Sequence, residues 1–86
     1  MLFRSLVELF AWSEAQFDER MRGSAIYRIG YIRWLRNIAV ALGNAPSTDV
    51  IVSALQARRW HPSALLREHV EWALARHQHA APGLNA

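Results

Sequence analysis

Tyr31-Ile32-Arg33-Trp34-Leu35-Arg36-Asn37-Ile38-Ala39-Val40-Ala41-Leu42, residues 31–42, decides the fold. Tyr31, Trp34, Leu35, Ile38, Ala39 and Leu42 recur at helical spacing and form one continuous apolar face, with none of the alternation a strand needs. Gly43-Asn44 is the expected helix stop, and Pro46 forbids continuation. Upstream, Phe3, Leu6, Val7 and Phe10 make a shorter stripe. Ser13 with Gln16 three residues later reads as a capping box opening a helix that turns Phe17 and Met21 inward. Gly23 ends that helix, residues 24–29 suit a single turn, and Gly30 breaks the chain before the central helix.

Downstream, Ser47 is the expected cap of a further helix, with Asp49 in its first turn and Val50, Ile51, Ala54 and Leu55 on its buried side. Pro62 suits the first turn of the last helix, whose stripe is Leu66, Val70, Ala73, Leu74 and His77. Leu35-Arg36-x-x-Ala39-x-x-Leu42 and Leu66-Arg67-x-x-Val70-x-x-Ala73 share a pattern 31 residues apart. A helical unit recurring at that interval points to an all-α fold, a HEAT-like α-solenoid fragment of four to five helices. It occupies residues 1–79, with residues 80–86 as a frayed tail. Two such units do not normally stand alone, so the chain reads as cut from a larger protein.

Composition narrows the function. The 86-residue chain is 52% apolar and 20% charged, the balance of one small folded domain. It has no cysteine, which excludes a disulfide, an iron–sulfur cluster or a thiolate zinc site within it. The uncharged run over residues 38–48 is too short to span a bilayer, and the start carries Arg4 and Glu8, so no membrane segment or secretory leader is expected and the setting reads as cytoplasmic. All ten basic residues are arginine, and residues 20–48 hold five of them with no carboxylate. That asymmetry suits a polyanion, because guanidinium forks match phosphate oxygens; a solvated arginine face is the alternative.

Gly23-Ser24-Ala25-Ile26, Arg28-Ile29-Gly30, the run Trp34-Leu35-Arg36-Asn37-Ile38-Ala39-Val40-Ala41-Leu42-Gly43-Asn44-Ala45-Pro46, and Glu68-His69-x-x-Trp72-Ala73 carry a resemblance. Together they resemble the C-terminal HEAT-like helical domain of bacterial epoxyqueuosine reductase. The resemblance implies a parent oxidoreductase that reduces epoxyqueuosine to queuosine at the tRNA wobble position. It also implies two [4Fe–4S] clusters and cobalamin, held in ferredoxin-like and cobalamin-binding domains. None of their cysteines or catalytic groups occurs in this chain, which is itself expected to be noncatalytic and to hold tRNA against those domains.

On this reading Arg28, Arg33 and Arg36 contact phosphates and Asn37 a phosphate or sugar hydroxyl, with Arg36 and Asn37 alternatively bridging to a neighbouring helix. Arg58, Arg59, Trp60 and His61 form a second basic stretch, in which Trp60 either stacks on an unpaired base or plugs the edge of the core. Arg67, aligned with Arg36 in the repeat, extends the basic face. His69 and His77 are two turns apart, a poor metal spacing, and His69 is expected to face the core or bond its own helix. Glu68 and Glu71 beside Arg67 suit a solvated ion network. The alternative function is a helical protein–protein or interdomain docking module without nucleic-acid contact, using Phe3, Leu6, Phe10 and Trp12 on an exposed acidic side. A helix-turn-helix DNA reader fits poorly, because the helix after Pro46 carries no basic residue.

Overall fold

The stripe over residues 31–42 buries in full: Tyr31, Trp34, Leu35, Ile38, Ala39 and Leu42 are all in the core. They lie on the central helix of an all-α structure, a computed structural model that describes residues 2–80, with side chains from residue 5 to residue 78. The described helices are α1 (Leu2–Phe10), α2 (Glu14–Met21), α3 (Tyr31–Gly43), α4 (Asp49–Gln56) and α5 (Ala64–Ala80), with a 3₁₀ turn (Ala25–Ile29) between α2 and α3. Phe3, His79 and the tail at 81–86 lie outside the described side chains or residues.

The most extensive helix pair is α3 with α5, while α1 packs on α3 and α4. Each apolar position of the 31-residue repeat is closed to solvent: Leu35 and Leu66, Ala39 and Val70, Leu42 and Ala73 are all 0% exposed. Burying each leucine or valine contributes about 1.5–3 kcal/mol. Val40 lines a depression with Glu68, His69 and Trp72. Gly43, further along α3, faces Trp72 and Ala73. Later positions of one helix therefore meet later positions of the other, and the two run in the same direction.

Local chemistry sets the ends. Ser13 Oγ accepts from the Gln16 amide at 3.2 Å, while Gln16 Oε1 accepts from the Ser13 amide at 2.8 Å, so the expected capping box is present. Gly23 and Gly30 take φ of 91° and 90°, the left-handed half of backbone space, and so bracket the 3₁₀ turn. Three expectations need correction. The cap of α4 is Thr48, whose Oγ1 accepts from the Ile51 amide at 3.2 Å; Ser47 instead bonds His77 Nδ1 at 2.6 Å. Ser63 Oγ accepts from the Leu66 amide at 3.2 Å, so Pro62 precedes the first turn of α5 rather than lying in it. Val50 is 59% exposed, because α4 buries only the narrow line of Ile51 and Leu55.

Gly43 ends α3 for a reason of packing, since its φ is not positive. A Cβ there would lie 2.6 Å from Trp72 Cζ3 and 3.0 Å from Ala73 Cβ. Last-turn carbonyls of α3 are met by side chains of α5: Arg76 Nε donates to Gly43 O at 3.1 Å, and His77 Nε2 donates to Leu42 O at 2.6 Å. Because a carbonyl only accepts, His77 carries a proton on Nε2, while its Nδ1 bonds the Ser47 hydroxyl.

The expected apolar docking side is also revised. Phe10 is 1% exposed, and Leu6 and Trp12 pack against the core. Trp12, Phe17, Tyr31 and Trp34 form an aromatic cluster, with ring centroids 5.4 Å apart for Trp12–Trp34 and 4.9 Å for Phe17–Trp34. This cluster fastens α2 and the connection before it to α3.

Candidate nucleic-acid interface

The seven sequence-selected residues separate into two groups. Arg28 and Arg33 are exposed, and neither has a carboxylate partner among the described residues. Arg28 sits on the 3₁₀ turn, which is pinned below by Tyr27: its hydroxyl donates to Asp18, and its ring stacks on Phe17 at 5.8 Å. Asp18 also accepts from Arg22. The Tyr27 hydroxyl, and then Arg22, hold the Asp18 carboxyl below the usual carboxylate range, so it stays an anchoring anion.

On α3, Arg36 lies one turn beyond Arg33. Its Nε and Nη2 donate to Asn37 Oδ1 at 3.2 and 3.0 Å. The two side chains thus bond each other rather than a neighbouring helix, and Asn37 is exposed. Arg33, Arg36 and Asn37 follow at i, i+3 and i+4 and form a polar outer face opposite the buried stripe.

Of the remaining three arginines, Arg58 and Arg67 are turned to the fold and Arg59 lies at the surface. Arg58 donates through Nε and Nη2 to Phe10 O at 3.1 and 3.0 Å, and through Nη2 to Trp12 O at 2.7 Å and Tyr31 Oη at 3.1 Å. It thereby ties the α4–α5 connection to the end of α1 and the start of α3. Arg67 Nη1 donates to His61 O at 2.8 Å and Pro62 O at 2.9 Å, holding the same connection from the α5 side. Arg59 Nε bonds Glu71 Oε2 at 2.9 Å across half-exposed side chains. The expected network of Glu68 and Glu71 with Arg67 is thus corrected: Glu71 pairs with Arg59, and Arg67 bonds backbone carbonyls.

Because Arg58 reaches Tyr31, the first residue of α3, the α4–α5 connection lies at the end of the molecule that carries the 3₁₀ turn and Arg28. The N-termini of the two co-directional helices, α3 and α5, are at this end too, and their partial positive charges add to the guanidinium field. His61 accepts from the Ser63 amide at 3.0 Å through Nδ1. Partial burial, and then Arg58 and Arg67, push its pKa down against a weaker opposing pull from Glu14, which favours the neutral ring.

Trp60 does not plug the core edge: it is 82% exposed, with the Arg59 guanidinium 5.5 Å from its ring centroid. His69 bonds its own helix, Nδ1 to Leu65 O at 2.8 Å. Arg76, absent from the sequence reading, lies 5.2 Å from the Trp72 ring centroid as well as meeting Gly43 O. Its periodicity on α5 marks only a surface position, so its partner emerges from the helix pairing alone.

Among the described residues no group of three or more His, Cys, Asp or Glu could hold a metal ion. With no cysteine in the chain, these residues do not fit an iron–sulfur cluster. No described helix is long and apolar enough to cross a membrane.

No protein-family model matches the chain, and no solved structure matches it. Curated proteins do. It is 64% identical over 72 residues to the epoxyqueuosine reductase of Pseudomonas aeruginosa, an alignment covering 84% of this chain and 20% of that protein. The epoxyqueuosine reductase of Xanthomonas campestris pv. campestris is 59% identical over 73 residues, covering 85% of this chain and 21% of that protein. That of Escherichia coli K12 is 61% identical over 71 residues, covering 81% of this chain and 18% of that protein. The chain spans about one-fifth of the length of the curated relatives it matches. At this level of identity over most of its length, the chain matches one segment of the epoxyqueuosine reductases.

Proposed function

We propose that this chain is a noncatalytic tRNA-binding module of an epoxyqueuosine reductase, serving queuosine formation by holding the tRNA for chemistry carried out elsewhere in the parent enzyme. The clusters and cobalamin implied by the resemblance belong, on this reading, to ferredoxin-like and cobalamin-binding domains of the parent, with which the module works in the cytoplasm. The observation that carries the proposal is the pair Arg28 and Arg33, exposed and without carboxylate partners among the described residues, at the end where α3 and α5 both begin. Arg36 and Asn37 continue the polar face along α3. Arg58 and Arg67 serve it indirectly, by fixing the connection between α4 and α5.

Titration of unmodified tRNA into the chain at low salt, repeated at rising salt, tests this. Binding weakens with a log–log slope of about −0.7 to −0.9 per neutralised phosphate, and an Arg28→Ala/Arg33→Ala variant loses about two contacts' worth of slope. Absence of binding at low salt, or binding indifferent to salt, refutes the proposal.

A docking role has one observation in its favour. Ile26 and Ile29 on the 3₁₀ turn are 41% and 43% exposed, an apolar pair that suits contact with another protein surface. A clean monomer in sedimentation velocity across the accessible concentration range, unchanged by Ile26→Ser/Ile29→Ser, counts against self-docking through that turn.

A further inference from the structure

We infer that Trp60 is a stacking platform for one unpaired RNA base, with Arg59 covering the opposite side of the indole. The inference rests on the RNA-binding reading above and assigns it a residue that reads single-stranded rather than duplex RNA.

The indole is 82% exposed, the most exposed of the large apolar side chains described. Nothing in the packing requires a tryptophan there: the core closes without it, and the aromatic cluster around Phe17 and Trp34 is elsewhere. The backbone that carries Trp60 is nevertheless held firmly. Its amide neighbours close turns, Arg59 N to Gln56 O at 3.1 Å and His61 N to Arg58 O at 3.1 Å. Arg58 fastens the same connection to α1 and α3, and Arg67 fastens it to the start of α5. A large π surface is thus presented in water by a pre-ordered backbone, at little further ordering cost on binding.

Charge selects the occupant. Arg59 lies over one side of the ring at 5.5 Å and is itself oriented by Glu71 at 2.9 Å. This leaves the other face free for a planar group, giving an arginine–indole–base sandwich. The surrounding depression is lined by Arg59, Trp60, Ala64, Arg67, Glu68 and Glu71, with Glu71 already paired to Arg59. Balanced charge immediately around the ring suits a neutral base face rather than a phosphate. The phosphate-binding charge is supplied at the same end by Arg28 and Arg33.

The test compares a stem–loop RNA with the same stem closed as a blunt duplex, bound by the parent chain, Trp60→Ala, Trp60→Phe and Arg28→Ala/Arg33→Ala. Removing one base stack costs about 5- to 150-fold in affinity for the stem–loop. Trp60→Ala is expected to show that loss, Trp60→Phe most of the parental affinity, and neither to change duplex binding or the salt slope. The arginine variant lowers affinity for both RNAs. Far-UV circular dichroism melts confirm that so exposed a substitution leaves the fold intact. If Trp60→Ala binds the stem–loop like the parent while the arginine variant is weakened, the stacking role fails and the RNA-binding reading stands. Equal weakening of both RNAs by Trp60→Ala also overturns stacking. Loss of a sedimenting dimer in Trp60→Ala, with RNA affinity unchanged, assigns the ring to a protein contact instead. If no variant and no parent binds either RNA, both readings fall together.

Discussion

Replacing Arg58 with alanine separates a structural arginine from an RNA-contacting one. In the folded chain its guanidinium serves three acceptors: Phe10 O, Trp12 O and Tyr31 Oη. Nη2 is shared among all three, so the contacts do not count as separate full-strength bonds. The Tyr31 hydroxyl also donates to Trp12 O at 2.5 Å, and that carbonyl keeps a partner when Arg58 is removed. The loss falls mainly on Phe10 O, the carbonyl at the end of α1, and on the link from α4 to α3. Charged hydrogen bonds contribute about 1.5–3 kcal/mol each, so Arg58→Ala should destabilise by about 2–3 kcal/mol. For a domain of this size that lowers the melting temperature by about 10–20 °C. Arg58→Lys keeps the charge but offers a point donor in place of a fork, and should recover part of the loss. Urea unfolding followed by circular dichroism reads both variants, and tRNA affinity of folded Arg58→Lys should match the parent because the donors are used internally. An Arg58→Ala variant within about 0.5 kcal/mol of the parent would refute the reasoning, since that is the effect of an unengaged surface residue.

Two further outcomes follow from the packing and the titrating groups. Gly43→Ala places a methyl 2.6 Å from Trp72 Cζ3 and 3.0 Å from Ala73 Cβ, forcing α3 and α5 apart. Overpacking of about 1–3 kcal/mol exceeds the gain of up to about 1 kcal/mol from helix propensity, so the urea midpoint should fall; a rise would show that the interface yields freely. His61 has its pKa pushed below the ordinary 6.5 by burial and then by Arg58 and Arg67, with Glu14 opposing. Below that ordinary value the unfolded chain binds the extra proton first, so stability declines as pH drops through it and levels off below the folded value. His61→Gln should flatten this part of the stability–pH curve relative to the parent, and an unchanged curve would remove His61 from the account.

The sequence pattern revealed the helices because each buried face is a local periodicity. Leu35, Ala39 and Leu42 repeat as Leu66, Val70 and Ala73, and all six are closed to solvent. The capping box at Ser13 was equally legible, since donor and acceptor lie three residues apart. Gly43 closes α3 where the sequence placed its stop, and its lack of a side chain also serves contact with Trp72 and Ala73 on α5, which the sequence did not show. The candidate site divided in the same way: Arg28 and Arg33 are recognisable as free surface charge from their carboxylate-poor surroundings in sequence. Arg58 is indistinguishable from Arg59 in the string, yet one bonds the backbone of α1 and the other a surface glutamate.

What the residue order alone determined is the helical class, the segment boundaries to within a residue or two, the buried stripes of α3 and α5, and the absence of cluster ligands. Those depend on period, caps and residue type, all of which act over one or two turns. Only the tertiary structure decided which arginines are internal ties, that His77 and Arg76 meet the last carbonyls of α3, and that Trp60 stands in solvent. The His77 and Arg76 contacts depend on the co-directional pairing of α3 with α5, and the Arg58 tie on the packing of α1 beside the α4–α5 connection, each joining groups 30 or more residues apart. A side chain long enough to reach several acceptors takes its role from what the fold sets beside it.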